Sequence, residues 1–257
     1  MAGSEGMTGY PSVDKPWLKY YSEEAINAPL PECTIFEYLQ KNNQDHPDDV
    51  AIIYFSRKIT YRELFENIEK TAKAFCSLGV KPGEIVTIAL PSIPEALYAV
   101  YALNRLGAVA NMVHPLAGRG ELLSYLDEVG TRVAVLFDGT CDVLGDSLGE
   151  TGVEHAVVIS AAESLPLGLK VLYRLKNRGR STVNNSRHLS WKQFVEGGRN
   201  IVPYYVSKDV DAVAIISHTG GTTGEPKGVM LSDRNTNAII CQVGAALPHT
   251  DARRGCL

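Results

Sequence analysis

Between about residues 80 and 160 the chain alternates between two hydrophobic periods, and few folds accommodate that alternation. Short β-rich apolar runs stand at 50–55, 85–90, 109–113, 133–137, 155–159 and 210–217. Helical patterns lie between them. After Thr60 the residues Tyr61, Leu64, Phe65, Ile68, Ala72, Phe75 and Cys76 share one helical face, and Gly79 ends it. The segment 93–106 is apolar almost all round (Ala96, Leu97, Val100, Tyr101, Leu103), which predicts a buried helix. Leu122, Leu123, Leu126 and Val129 mark a further face, closed by Gly130. Apolar strands joined by helices are βαβ units, so the predicted fold is α/β, with a largely parallel sheet and helices on both faces.

Helix starts are marked by capping boxes, in which a hydroxyl and a carboxylate satisfy each other's backbone N–H groups. Thr34 with Glu37, Thr60 with Glu63, and Ser92 with Glu95 all have that spacing. Residues 1–32 are rich in Gly, Pro and Tyr and predict an extended N-terminal arm, docked on the body by Trp17, Tyr20 and Tyr21. Residues 33–162 form a first α/β subdomain, and 163–208 a basic connecting segment. In this segment the stretch 165–180 holds Lys170, Arg174, Lys176, Arg178 and Arg180, no acidic residue, and interleaved leucines. Such a stretch either makes weak contact with a membrane surface or is a solvated helix or long loop between two halves of the fold. Asn184 to His188 reads as a loop, and residues 209–257 open a second α/β subdomain.

Composition removes several classes of function. The chain has 257 residues, 25 Lys+Arg against 29 Asp+Glu and a formal net charge of −4, which gives no electrostatic footprint for nucleic acid. Its longest unbroken apolar run, 96–103, is far short of the roughly 18 residues a membrane helix needs. The first residues lack the basic start and apolar stretch of a secretory signal. Cys33, Cys76, Cys141, Cys241 and Cys256 are odd in number and unpaired in spacing, the usage of a reducing, cytoplasmic compartment. The six histidines are equally scattered, so no metal held by side chains alone is expected.

The strongest chemical signal is the run from His218 to Leu231, HTGGTTGEPKGVML. An apolar strand delivers the chain into Thr219, Gly220, Gly221, Thr222, Thr223 and Gly224, followed by Pro226, Lys227 and Gly228. Glycines let successive backbone N–H groups turn inward around an anion, threonines add hydroxyl donors, and Lys227 adds a cation. A second strand-like run, Val229 to Leu231, follows, with Ser232 or Asp233 able to cap the next helix. The pattern is a phosphate clasp between two strands. It is not a Walker A loop, because Pro226 precedes the lysine, Gly228 follows it, and a strand comes next.

A rival stands at Gly145-Asp146-Ser147-Leu148-Gly149, which matches G-x-S-x-G and would make the protein a serine hydrolase. A nucleophile elbow needs a strand running into the serine and a helix running out of it. The nearest predicted strand ends at Phe137, Gly149 and Gly152 disfavour a following helix, and no Asp-x-x-His pair occurs. Ser147 therefore reads as a surface residue on a short helix or turn.

The run 218–228 closely resembles the phosphate-binding signature of adenylate-forming (AMP-binding) enzymes, which include acyl-CoA synthetases, luciferases and peptide-synthetase adenylation domains. Ile59-Thr-Tyr-Arg-Glu-Leu64 is similar to the family's early T-Y-x-E-L segment. Leu103-Asn-Arg-Leu-Gly-Ala-Val-Ala110 is similar to its G-A-V element, with His114-Pro115 at the turn beyond. The arm 9–21 is similar to that of fatty acyl-CoA ligases. Gly220 departs from the serine many members carry, which removes one hydroxyl and keeps the backbone donor.

The resemblance implies the N-terminal portion of the large acyl-CoA synthetase domain and a two-step reaction. A carboxylic acid, a fatty acid foremost, attacks the α-phosphate of ATP to give an acyl-adenylate, and coenzyme A then takes the acyl group. Thr219, Gly220, Gly221, Thr222, Thr223, Gly224 and Lys227 would hold the β and γ phosphates, with Mg2+ accompanying the nucleotide. The family's adenine, ribose and catalytic-lysine segments do not follow Leu231. The expectation is therefore a truncated, inactive fragment that contains no catalytic residue of its own and acts in a larger ligase. A non-catalytic phosphate- or nucleotide-binding module shares the loop and stays open as the alternative.

Overall fold

The computed structural model describes residues 8–160, 162–163, 165–176, 187–219 and 227–246. The arm is not extended. It holds two one-turn helices, α1 (Pro11–Asp14) and α2 (Glu23–Ile26), with a 3-10 turn over Pro16–Tyr20 between them. Nor do its aromatic residues dock it: Trp17, Tyr20 and Tyr21 remain 44%, 78% and 39% exposed. The arm bonds to itself, with Asp14 accepting from the backbone of Thr8 and Gly9 at 2.8 and 2.9 Å. The polar ties to the body lie further on, at residues 32–35.

There α3 (Ile35–Asn43) starts on the expected capping box, in which Thr34 accepts from Glu37 N and Glu37 from Thr34 N. A small two-stranded sheet follows, β1 (Val50–Tyr54) antiparallel to β2 (Arg57–Thr60). Phe55, expected in the strand, is instead a turn residue: it and Ser56 have φ of +43° and +67°, the left-handed conformation a tight hairpin requires. The second box, Thr60 with Glu63, opens α4 (Tyr61–Ser77), and Gly79 leaves it at φ +71°. After β3 (Ile85–Ala89), α5 (Pro94–Arg105) starts without the third box. Pro94 takes the first helical position, which its fixed φ favours, so Ile93 is the cap and Ser92 lies one residue too early.

The rest of the chain runs β4 (Val109–Met112), α6 (Arg119–Glu128), β5 (Val133–Phe137), α7 (Asp138–Leu144), a 3-10 turn, β6 (His155–Ile159), α8 (Leu167–Lys176), β7 (His188–Ser190), α9 (Trp191–Gly197), β8 (Val213–Thr219), β9 (Lys227–Ser232) and α10 (Asp233–Ala246). His188, read as loop, pairs in parallel with Ala156 at the sheet margin, and Ser190 caps α9 in an unanticipated box with Gln193. β8 starts three residues later than predicted. Asp209 holds the chain in a turn there, accepting from Asp211 N and Ala212 N. In α8, Lys170 is turned back onto Glu163, accepted by its carbonyl at 3.0 Å, while Leu169, Val171 and Leu172 are exposed. The basic residues Arg178 and Arg180 lie outside the described residues.

Seven strands form one sheet in the order β7-β6-β5-β3-β4-β8-β9, parallel throughout except for β9, which returns antiparallel on β8. Alternation along the strands builds two cores. Val133, Val135, Val157 and Ile159 face Ile68, Phe75, Leu103 and Phe194 of the helices on one side. Ala134, Leu136 and Ala156 face Leu122, Leu126, Leu144 and Leu148 on the other. The Phe75 and Phe194 rings meet edge to face at 5.0 Å, and burying each side chain contributes about 1.5–3 kcal/mol. Among the described residues no helix is long and apolar enough to cross a membrane.

One buried carboxylate joins four segments. Asp233, at the start of α10, accepts from Ile35 N at 2.9 Å and Asn104 Nδ2 at 2.7 Å. Lys208 approaches its second oxygen at 3.0 Å as an ion pair. Asn104 in turn accepts from Phe36 N at 3.1 Å, and Asn237 donates to the Cys33 carbonyl at 2.8 Å. These bonds seat α3 and α10 against α5.

Candidate functional site

The run read from sequence as a phosphate clasp is flanked by β8 and β9, which pair antiparallel. Their register pairs Ser217 with Val229, His218 with Gly228 and Thr219 with Lys227. The two strand ends are thus fixed opposite one another, and the Thr219 hydroxyl reaches the Lys227 carbonyl at 3.4 Å. Both residues are solvent-exposed. Of the seven residues assigned to phosphate, Thr219 and Lys227 are the two whose positions are described; Gly220, Gly221, Thr222, Thr223 and Gly224 lie outside the described residues. Among the described residues Lys227 has no ion-pair partner. Gly228 closes the hairpin base for a steric reason: a Cβ there would stand 3.2 Å from Ile216 Cγ2 and 3.5 Å from His218 Cε1.

Beneath these ends runs a buried polar ladder. The His218 Nε2 is 2.8 Å from Asn111 Oδ1, Asn111 Nδ2 donates to Thr87 Oγ1 at 3.0 Å, and Thr87 meets the Thr131 hydroxyl at 2.6 Å. Thr87, Asn111 and Thr131 are essentially inaccessible to solvent. The His218 ring packs on Tyr125 of α6 with centroids 4.0 Å apart, and the Tyr125 hydroxyl donates to Glu121 at 2.7 Å. Burial first, and the bond to Glu121 second, push the Tyr125 phenol up to about 12. Burial also holds the His218 imidazole below its ordinary value, although Glu128 and Glu121 pull the other way. The imidazole is therefore neutral near pH 7.

Residue type alone assigns no role to His218, Asn111, Thr87, Thr131 and Tyr125. A signal existed. Thr87 and Asn111 are polar residues inside two apolar strands, and the register sets them side by side. The rival site dissolves. Ser147 is buried, at 5% exposure, not on the surface. It lies in the 3-10 turn Gly145–Glu150, whose inward side faces the second core, and it follows helix α7 rather than a strand. The donor to its hydroxyl is the Arg119 guanidinium, which cannot act as the base a nucleophile needs. Among the described residues no three His, Cys, Asp or Glu side chains converge as a metal site.

Residues 39–254 match the family model described as AMP-binding enzyme. The chain is 25% identical over 235 residues to the long-chain-fatty-acid–CoA ligase of Bacillus subtilis (strain 168), covering 88% of this chain and 42% of that one. It is 32% identical over 227 residues to the acetyl-coenzyme A synthetase of Brucella suis biovar 1 (strain 1330), covering 83% and 32%. A solved long-chain-fatty-acid-CoA ligase from Archaeoglobus fulgidus superposes with a TM-score of 0.66 at 23% identity, over 86% of this chain and 41% of that one. An anthranilate CoA ligase in complex with anthranoyl-AMP gives 0.64 at 21%, over 82% and 36%. The two superpositions establish the fold. The chain spans between about a third and two fifths of the length of these curated relatives.

Proposed function

We propose, on the premise that this chain belongs to the AMP-binding enzyme family, that it supplies the phosphate-holding part of an ATP-dependent, AMP-forming acyl-CoA ligase. The observation that carries this reading is the β8–β9 register, which sets Thr219 and Lys227 opposite one another at the two ends of the glycine- and threonine-rich run. In the reaction, the carboxylate oxygen of the acid attacks the α-phosphorus of ATP and pyrophosphate leaves. The thiol of coenzyme A then attacks the acyl carbon, and AMP leaves. The chain's own contribution falls in the first step. Backbone donors of Gly220, Gly221 and Gly224, the hydroxyls of Thr219, Thr222 and Thr223, and the Lys227 ammonium stabilise charge on the departing pyrophosphate. Mg2+, when bound with the nucleotide, neutralises part of the triphosphate charge.

A fatty acid is the substrate this reading favours, supported by similarity to a long-chain-fatty-acid–CoA ligase and by the sequence of the arm. The likeness to an acetyl-coenzyme A synthetase supports a short acid as the second reading. The assigned compartment is the cytoplasm, on cysteine usage. Carboxylate-dependent ATP–pyrophosphate exchange, run with this chain extended to the length of its curated relatives and with acids from acetate to palmitate, tests both readings. Lys227→Ala is expected to slow exchange by about a hundredfold, and unchanged kinetics would contradict its role. The 257-residue chain alone is expected to show no exchange. Turnover by it would remove the need for further segments, while tight ATP binding without turnover would favour the non-catalytic module.

A further inference from the structure

We propose that His218 is the positioning residue of the phosphate clasp: its neutral imidazole anchors the strand end at Thr219 to the buried ladder, and the clasp holds phosphate oxygens only while that imidazole is unprotonated. The proposal rests on the reading of 219–227 as a phosphate site and concerns how that site is held and regulated.

The tautomer follows from the ladder. Asn111 has committed its Nδ2 donor to Thr87, so the atom it presents to His218 is the Oδ1 acceptor. The Nε2 must therefore carry the proton, and Nδ1 is left as a lone pair. That nitrogen is buried and has no hydrogen-bond partner among the described residues. A lone pair in such a place is tolerable. A second N–H there would be a buried donor with no acceptor, on a ring that has also become charged.

The surroundings give the ring little room to relieve that cost. Tyr125 stacks on it from α6, Asn111 holds it from β4, and Gly228 lies against its Cε1 side from β9. The charged groups that bear on it are Glu121 and Glu128 of α6, with Lys227 at the adjoining position of β9. The two carboxylates favour protonation and burial opposes it, with burial the larger effect. Protonation is then relieved by loosening the β8 end, where Thr219 and Lys227 face each other. Because the seated imidazole titrates below its ordinary value of about 6.5, the anchor is intact at that pH and above, and it is lost as the pH falls through the lowered value.

Calorimetric titration of inorganic pyrophosphate into the 257-residue chain tests the proposal at about pH 7.5 and about pH 5.5. His218→Gln keeps an amide donor toward Asn111 and has no nitrogen that titrates, whereas His218→Phe removes the donor. The affinity of the unaltered chain is expected to fall relative to His218→Gln once the pH drops through the lowered imidazole value, approaching about tenfold per pH unit beyond it. Taking the ratio cancels the titration of pyrophosphate itself. His218→Phe is expected to bind more weakly at both pH values, and His218→Gln decides the matter if the phenylalanine variant does not fold. Imidazole 15N shifts are expected to place the proton on Nε2 at about pH 7.5.

An affinity ratio that stays flat, or that rises on acidification as for a cationic phosphate ligand, overturns the proposal and leaves the phosphate reading standing. So does a proton found on Nδ1. An unaltered chain that binds no pyrophosphate at the higher pH overturns the phosphate reading and this proposal together.

Discussion

Two buried polar clusters lie at the same end of the chain and are built on opposite terms. The Asp233 cluster contains a full charge, and the protein surrounds it with two donors and a lysine drawn from three other segments. The His218 ladder contains no formal charge and, among the described residues, leaves one ring nitrogen unmatched. The difference follows from the penalties. An uncompensated buried ion costs several kcal/mol, whereas a buried neutral acceptor without a partner costs about 1–3 kcal/mol, which a well-packed domain can carry. A charged cluster must therefore be closed on every side and serves as a joint. A neutral one can stay open on one side, and an open side is where sensitivity to the medium enters.

Breaking the joint should have the largest effect. Asp233→Ala leaves Lys208 buried and unpaired and frees Ile35 N, so urea unfolding of the chain should show a loss of about 3–5 kcal/mol. A loss under about 1 kcal/mol would mean that the carboxylate is not a joint and would erase the contrast. The ladder should prove weaker. Asn111→Ala strands the His218 donor while leaving Thr87 its bond to Thr131, and should cost about 1–3 kcal/mol in the same measurement. A cost as large as that of Asp233→Ala would place the two clusters in one class. The smallest effect calibrates the scale away from both. Thr34→Ala removes a cap that is made and should cost about 1 kcal/mol, whereas Ser92→Ala removes one that is not and should stay within about 0.5 kcal/mol. Equal losses at the two positions would refute the assignment of Ile93 as the cap.

The sequence discloses what is local and periodic. The strands at 85–90, 109–113, 133–137 and 155–159 are legible because parallel strands buried on both faces read as unbroken apolar runs. The Thr34 and Thr60 caps are legible because each box lies within four residues. Strands β2 and β7 are short and polar and owe their existence to a turn and a neighbour, so no run announces them. Trp17, Tyr20 and Tyr21 look like anchors by composition, but the arm is held by Glu32, Cys33 and Ile35 through partners near residue 235. The candidate site divides in the same way. Thr219 and Lys227 are candidates from residue type alone. The pairing of His218 with Asn111 spans 107 residues and exists only once the sheet has brought β4 beside β8.

The antiparallel return of β9 has a consequence for how such a protein can vary. A parallel neighbour would have needed a long crossover to follow β8, and the crossover would have set the place of Lys227. A hairpin fixes that place by its own ladder, which continues down to the pair formed by Val213 and Ser232. The seats of Thr219 and Lys227 are then set by the two strands and not by the length of the connection between them. Each doubling of such a connection costs only about 0.6 kcal/mol in closure entropy. The fold thus puts the mounting of those two residues in the ladder, where a change in the connection does not reach it.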